Sequence, residues 1–139
     1  MTKPSSRRMI WIRQLAREMP FYKHLGMHLT RLGAGRAEIR IKVTKRLTQD
    51  AGVAHGGVAA TLIDSAVGLA LCTMLDAEEF ITTVELKVNF TAPAQLGLLK
   101  ASGHIIHKGK RIAVGEAEVK DQKRRLIAKG LVTYIIMTK

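Results

Sequence analysis

The sequence predicts a single α+β domain, one long buried helix followed by a run of antiparallel strands. Two observations lead to that class. Residues 56–75 are a near-continuous small and aliphatic run without a polar stripe, and alternating apolar segments occur once before it and four times after it. A helix apolar on every side has to be buried, and one helix followed closely by strands that favour hairpin pairing is the α+β pattern. At 139 residues the chain has room for one domain with a proper core.

Taken in order, Ser5 or Ser6 caps a helix that runs to about Met19, where Pro20 stops it. Met9, Ile12, Leu15, Ala16 and Met19 follow helical spacing, and arginines occupy the other faces. Residues 1–19 therefore read as a basic amphipathic helix lying on a domain of residues 20–139; a helix resting on a membrane surface has the same pattern. No apolar signal segment opens the chain, and a cytoplasmic location is expected. The first 17 residues are Arg-rich and free of acids, a composition that a mitochondrial transit peptide shares.

Ala37, Ile39, Ile41 and Val43 alternate with Glu38, Arg40 and Lys42, which predicts a half-buried strand, and residues 44–54 read as a loop. The helix over 56–75 follows. Its length is borderline for a membrane span, but Asp64 near its middle and the lack of flanking Lys or Arg argue for a protein core. Four strands complete the domain: Val84 to Phe90, Leu99 to His107, Arg111 to Val119, and Leu126 to Met137. The turns between the last three are Lys108-Gly109-Lys110 and the basic stretch Gln122 to Arg125.

A net charge of +12 and a pI near 10.4 favour a polyanionic partner: nucleic acid, an anionic membrane, or a phosphorylated small molecule such as coenzyme A. Aromatic residues make up only 4%, too few to stack many bases, so nucleic acid is not expected. The single cysteine, Cys72, excludes an internal disulfide and a Cys-based zinc site, and it is expected in the core. His24 and His28 align if helical, but no carboxylate accompanies them; His104 and His107, three apart on a strand, face opposite ways. No metal and no cofactor are expected.

Chemistry concentrates where the core helix begins, in Gln49-Asp50-Ala51-Gly52-Val53-Ala54-His55-Gly56-Gly57. The first N–H groups of a helix have no internal partner and sit at the positive end of its dipole. Gly56 and Gly57 let a ligand come close to that backbone, which suits an oxyanion hole, fixed donors aimed at a carbonyl oxygen under attack. The same residues also suit a plain loop-to-helix junction. Asp64 lies further on, in the most apolar part of the chain. A buried carboxylate is expensive unless partnered, and desolvation makes a carboxylate a stronger base. Asp64 therefore reads either as a general base or as a structural group bonded to Ser65 or Thr61.

His55 and Asp64 are nine residues apart. On one helix that is about 13.5 Å of rise and about half a turn of rotation, so they face opposite ways. They can serve one reacting carbon only if a second copy supplies one of them, as in a two-fold dimer with its core helices side by side and antiparallel. Catalysis by this pair implies an obligate dimer.

Pro20-Phe21, Leu25-Gly26-Met27, Gly35, the Gly52-x-x-His55-Gly56-Gly57 run, Asp64, and Val84 to Phe90 leading to Pro93 together resemble the hotdog-fold acyl-CoA thioesterases of the phenylacetic-acid-degradation type, over about residues 20–136. That resemblance implies a hotdog fold, an antiparallel sheet wrapped around a central helix. It implies hydrolysis of an aliphatic or aromatic acyl-CoA without a cofactor, by a homodimer or homotetramer. Asp64 would be the general base or nucleophile, the Gly57 N–H would polarise the thioester carbonyl, Gly56 would line the substrate's approach, and His55 would hold the substrate near the leaving sulfur. Thr83 stands where such enzymes often carry a hydroxyl that positions water. Gln49 departs from the pattern. The phenylacetate-type enzymes usually have Asn there, whereas the related aryl-CoA branch pairs Gln with a helix Glu. The cationic hairpin turn Lys108-Gly109-Lys110-Arg111 would meet the phosphates of coenzyme A, a task that suits Lys and Arg; Lys123, Arg124 and Arg125 form a second basic tip. Ala59, Ala60, Ala66 and Gly68 leave space beside the helix for an acyl chain or ring. Two other activities remain open: reversible hydration of an enoyl thioester, and non-catalytic binding of acyl-CoA or nucleic acid.

Overall fold

The computed structural model of the chain describes residues 4–139, so the first three positions of the N-terminal segment lie outside the described residues. Helix α1 spans Ser6–Glu18, α2 Pro20–Leu25 and α3 Gly56–Cys72. The strands are β1 Met27–Gly33, β2 Arg36–Val43, β3 Glu79–Phe90, β4 Gly97–Lys108, β5 Ile112–Asp121 and β6 Leu126–Thr138. All pairings are antiparallel, in one six-stranded sheet of order β1-β2-β4-β5-β6-β3. Because β2 and β3 are separated by three strands, the chain between them must cross the sheet, and α3 is that crossing. This is the hotdog arrangement.

Small residues on the strands let α3 lie close to the sheet. A Cβ on Gly103 would stand 2.8 Å from the Ala66 carbonyl carbon, and one on Gly130 would stand 3.0 Å from Ile63 Cγ2. One on Gly115 would collide with Val67 Cγ1. Ala101, Ala117 and Ala128 complete this bed and are fully buried. Against it the helix sets Leu62, Ile63, Ala66 and Val67, also fully buried. Its C-terminus is tied down by Thr73, whose hydroxyl donates to the Ala70 carbonyl (2.7 Å) and accepts from Gly35 N–H (2.8 Å) in the β1–β2 turn. Gly35 has φ +63°, a left-handed backbone that favours glycine.

Helix α1 follows the expected stripe: Ile12 and Ala16 are buried, with Met9, Leu15 and Met19 half-buried. Arg8 Nε donates to the Cys72 carbonyl (2.9 Å), fastening α1 to the end of α3, and its guanidinium stands 4.8 Å over the Trp11 ring. Among the described residues no helix is long and apolar enough to cross a membrane.

Several elements differ from expectation. Pro20 ends α1 but also begins α2, because its fixed φ suits a first helical position. Strand β1 was not expected; a bulge between Leu29 and Arg31 breaks its alternation. Bulges disturb the alternation of later strands too. In β3 the irregularity lies between Thr83 and Glu85, leaving Val84 outside the ladder, so Thr83 and Leu86 both oppose inward-facing residues of β6, Tyr134 and Val132. In β4 it lies between Ile105 and His107, so His104 opposes Glu116 and His107 opposes Val114, which share a face of β5. His104 and His107 therefore lie on the same face, not on opposite ones. His24 and His28 share no helix, since α2 closes at Gly26 and His28 lies in β1. Helix α3 ends at Cys72 rather than Leu75, and it is not enclosed all round: Ala60, Thr61, Asp64, Gly68 and Cys72 form a half-buried stripe.

Candidate active site

The loop before α3 is a compact turn. Gln49 N–H donates to the Val53 carbonyl and Gly52, at φ +77°, donates back to Gln49. His55 N–H donates to Leu47 and Ala54 N–H to Ala94, pinning the turn to the 3-10 segment at Lys45–Leu47 and to the β3–β4 connection. His55 has extended backbone angles (φ −60°, ψ 137°) and caps the helix with its side chain: Nδ1 accepts the Gly57 N–H at 2.9 Å. The Gly57 N–H is engaged by the imidazole, whereas the Gly56 N–H has no protein partner among the described residues. Gly56, His55 and Gln49 line one cleft of about 430 Å³, with Phe90, Pro93 and Ile127 on its other side.

Asp64 opens elsewhere. With Gly57, Ala60, Thr61, Gly68 and Cys72 it lines the floor of a groove of about 690 Å³. Its walls are Trp11 and Leu15 of α1, Met19 between α1 and α2, Phe21 and Tyr22 of α2, Phe80, Ile81 and Leu86 of β3, and Tyr134 of β6. Oδ1 of Asp64 accepts from the Thr83 hydroxyl at 2.9 Å and from the Tyr134 hydroxyl at 2.7 Å. The Tyr134 hydroxyl also lies 2.5 Å from the Asp64 main-chain carbonyl. Among the described residues Oδ2 makes no protein hydrogen bond, and it is not sealed from solvent, while Asp64 lines the groove. Neither Ser65 nor Thr61 donates to Asp64. Of the small residues expected to leave room, Ala60 and Gly68 line the groove, Ala59 lines the other cleft, and Ala66 is buried against Gly103.

Both tyrosines of the chain border this floor. Burial pushes Tyr22 up to about 12, against a hydrogen bond to Ser65 that works the other way. Burial likewise raises Tyr134 far above the ordinary phenol range, and the adjacent Asp64 charge adds to it. The Cys72 thiol is half-buried at the groove rather than in the core, and burial raises its pKa.

The structure thus brings Asp64 and Thr83 together and separates them from Gln49, His55 and Gly56, which open into the other cleft. The Lys108–Arg111 turn lies toward the opposite end of α3 from His55. Lys108 Nζ is 3.9 Å from Glu79, the first residue of β3, Gly109 N–H donates to Ile112, and Lys110 and Arg111 are exposed. The second basic tip lies beside the His55 cleft: Arg125 Nη2 donates to the Pro93 carbonyl (3.0 Å), while Asp121 accepts from Lys123 N–H, Arg125 N–H and Arg125 Nε. Among the described residues no three His, Cys, Asp or Glu side chains are grouped to hold a metal ion.

Tyr134 was not singled out from the sequence. On an alternating strand it counts as one more inward-facing residue. The available signals were that a buried phenol needs a polar partner and that Gly68, one turn beyond Asp64, leaves space for one.

Comparison with known proteins agrees with the fold. Residues 51–128 match the family model described as "Thioesterase superfamily". SSO2140 of Saccharolobus solfataricus is 37% identical over 85% of this chain and 84% of its own length. The 1,4-dihydroxy-2-naphthoyl-CoA hydrolase of Listeria monocytogenes is 26% identical over 87% of this chain and 98% of its own. The crystal structure of a thioesterase family protein from Silicibacter pomeroyi superposes with a TM-score of 0.89 at 27% identity, covering 95% of this chain and 99% of that one.

Proposed function

This chain belongs to the thioesterase superfamily and is a thioester hydrolase; from that premise we propose that it cleaves an acyl-CoA, with Asp64 as general base in a site shared between two copies. The observation that supports this reading is the asymmetric tethering of Asp64, which leaves Oδ2 free in an apolar groove. Water attacks the thioester carbon as Oδ2 takes its proton. The C–S bond then breaks, the proton passes from Oδ2 to the departing sulfur, and the acid and the free thiol leave. Thr83 also borders the groove, and holding the carboxylate is its part in this scheme.

The oxyanion donor in this scheme is the Gly56 N–H in place of Gly57, because Gly57 is taken by His55. The start of α3 adds the positive end of its dipole. Gln49 borders the same cleft, and its amide is the second donor we assign. A second copy brings these groups to Asp64. Strand β3 is twelve residues long, lies at the sheet's edge, and exposes Val84, Leu86 and Phe90. Long apolar edges left open invite pairing with another chain, and pairing there sets two α3 helices antiparallel and side by side. Dimer and tetramer both satisfy this requirement.

The groove accepts the acyl part, aliphatic or aromatic, between α1 and α3. The name of the Listeria relative supports a CoA ester as the substrate class, as does the +12 charge, which suits phosphates. The Lys108–Arg111 turn is the proposed phosphate contact. A panel of aliphatic and aromatic CoA esters, assayed for free thiol, tests the reading. Thiol release that disappears in Asp64→Asn supports it. Hydration of an enoyl-CoA without thiol release, or ligand binding with no turnover at all, overturns it.

A further inference from the structure

Among the described residues the side chain of Asp64 is held by only one of its oxygens. Both hydroxyl donors, Thr83 at 2.9 Å and Tyr134 at 2.7 Å, converge on Oδ1. The two differ in kind. Thr83 stands on the exposed edge strand, whereas Tyr134 is 4% exposed and its ring lies against α3. A second observation points to the same contact: a Cβ at Gly68 would come 2.9 Å from the Tyr134 hydroxyl. Glycine in mid-helix lowers helix stability, and here it leaves the space through which the phenol reaches Asp64.

We propose that Tyr134 is a positioning residue for hydrolysis: its hydroxyl, reaching Asp64 across Gly68, fixes Oδ1 and so presents Oδ2 as the one basic atom to the groove. The inference rests on Asp64 being the base, as set out above. Tyr134 stays a donor throughout the working range, because burial and the Asp64 charge keep its proton on. Its hydroxyl has one proton, shared between Oδ1 and the Asp64 carbonyl, so the side chain and the main chain of Asp64 are located by the same group. Removal of the phenol hydroxyl frees the χ rotation of Asp64, so that Oδ2 is no longer held toward the groove.

Tyr134→Phe removes the hydroxyl alone. The expected result is a kcat about 10-fold lower with little change in KM. Gly68→Ala keeps the phenol but displaces it from Asp64, and the same fall in kcat is expected. A residue that merely supports the fold would lower the melting temperature and leave the kcat of the folded enzyme in place. An unchanged kcat in either folded variant overturns the assignment of Tyr134. Full activity in Asp64→Asn instead overturns the reading of Asp64 as base, so the two failures are distinguishable.

Discussion

The Gly57 N–H donates to Nδ1 of His55 across 2.9 Å, so the histidine of the His-Gly-Gly run is also the cap of the helix it introduces. That bond requires an unprotonated Nδ1, which puts the proton of the neutral imidazole on Nε2. It also leaves Gly56, at the start of α3, with an N–H that has no protein partner among the described residues.

This double role predicts separable effects. His55→Ala is expected to lower stability by about 1 kcal/mol through the lost cap and to reduce turnover. His55→Asn, whose side-chain oxygen caps helices well, is expected to recover the stability without the turnover. Thermal melts and initial rates on the two variants check this; equal turnover in Asn and wild type would confine His55 to capping.

Lys110 is expected to act on substrate binding. Lys110→Ala raises KM for CoA esters several-fold and leaves short thioesters without the nucleotide unchanged, an effect that weakens as salt screens the charge. Steady-state kinetics on both substrate types at low and high salt decide it. Equal effects on both would count against phosphate contact at this turn.

Both tyrosines favour the neutral form when folded, Tyr22 up to about 12 and Tyr134 further. The folded state therefore holds protons that the unfolded chain gives up near pH 10. Stability from this source is complete below that pH and declines as pH rises toward the folded values. Ultraviolet titration of phenolate against circular dichroism should show tyrosine ionisation only together with alkaline unfolding. Ionisation near pH 10 in a folded protein would contradict the burial of both rings.

The long regular elements were legible in the sequence because their periodicity is undisturbed. β2 alternates cleanly from Ala37 to Val43, and α3 announces itself by its unbroken apolar run. β1 was not, because its bulge beyond Leu29 shifts the phase, and α2 was hidden by a proline that both stops one helix and starts the next. At the site, the separation of His55 from Asp64 follows from helix geometry alone. Two facts do not. The capture of Gly57 by His55 depends on a side-chain rotamer, and the Tyr134 bond to Asp64 joins residues 70 apart in sequence. Contacts of that range leave no local pattern to read.

The most direct test is subunit complementation. Asp64→Asn and His55→Ala, each inactive or nearly so alone with turnover down by about 10²–10⁴-fold, are unfolded together and refolded as a mixture. If one copy supplies Asp64 and the other the His55–Gly56 end, each mixed dimer contains one intact site, and the mixture recovers about a quarter of wild-type activity by random pairing of two-fold dimers. Mixed dimers that form, as shown by native mass spectrometry, yet stay as inactive as their parents would contradict a site shared between copies.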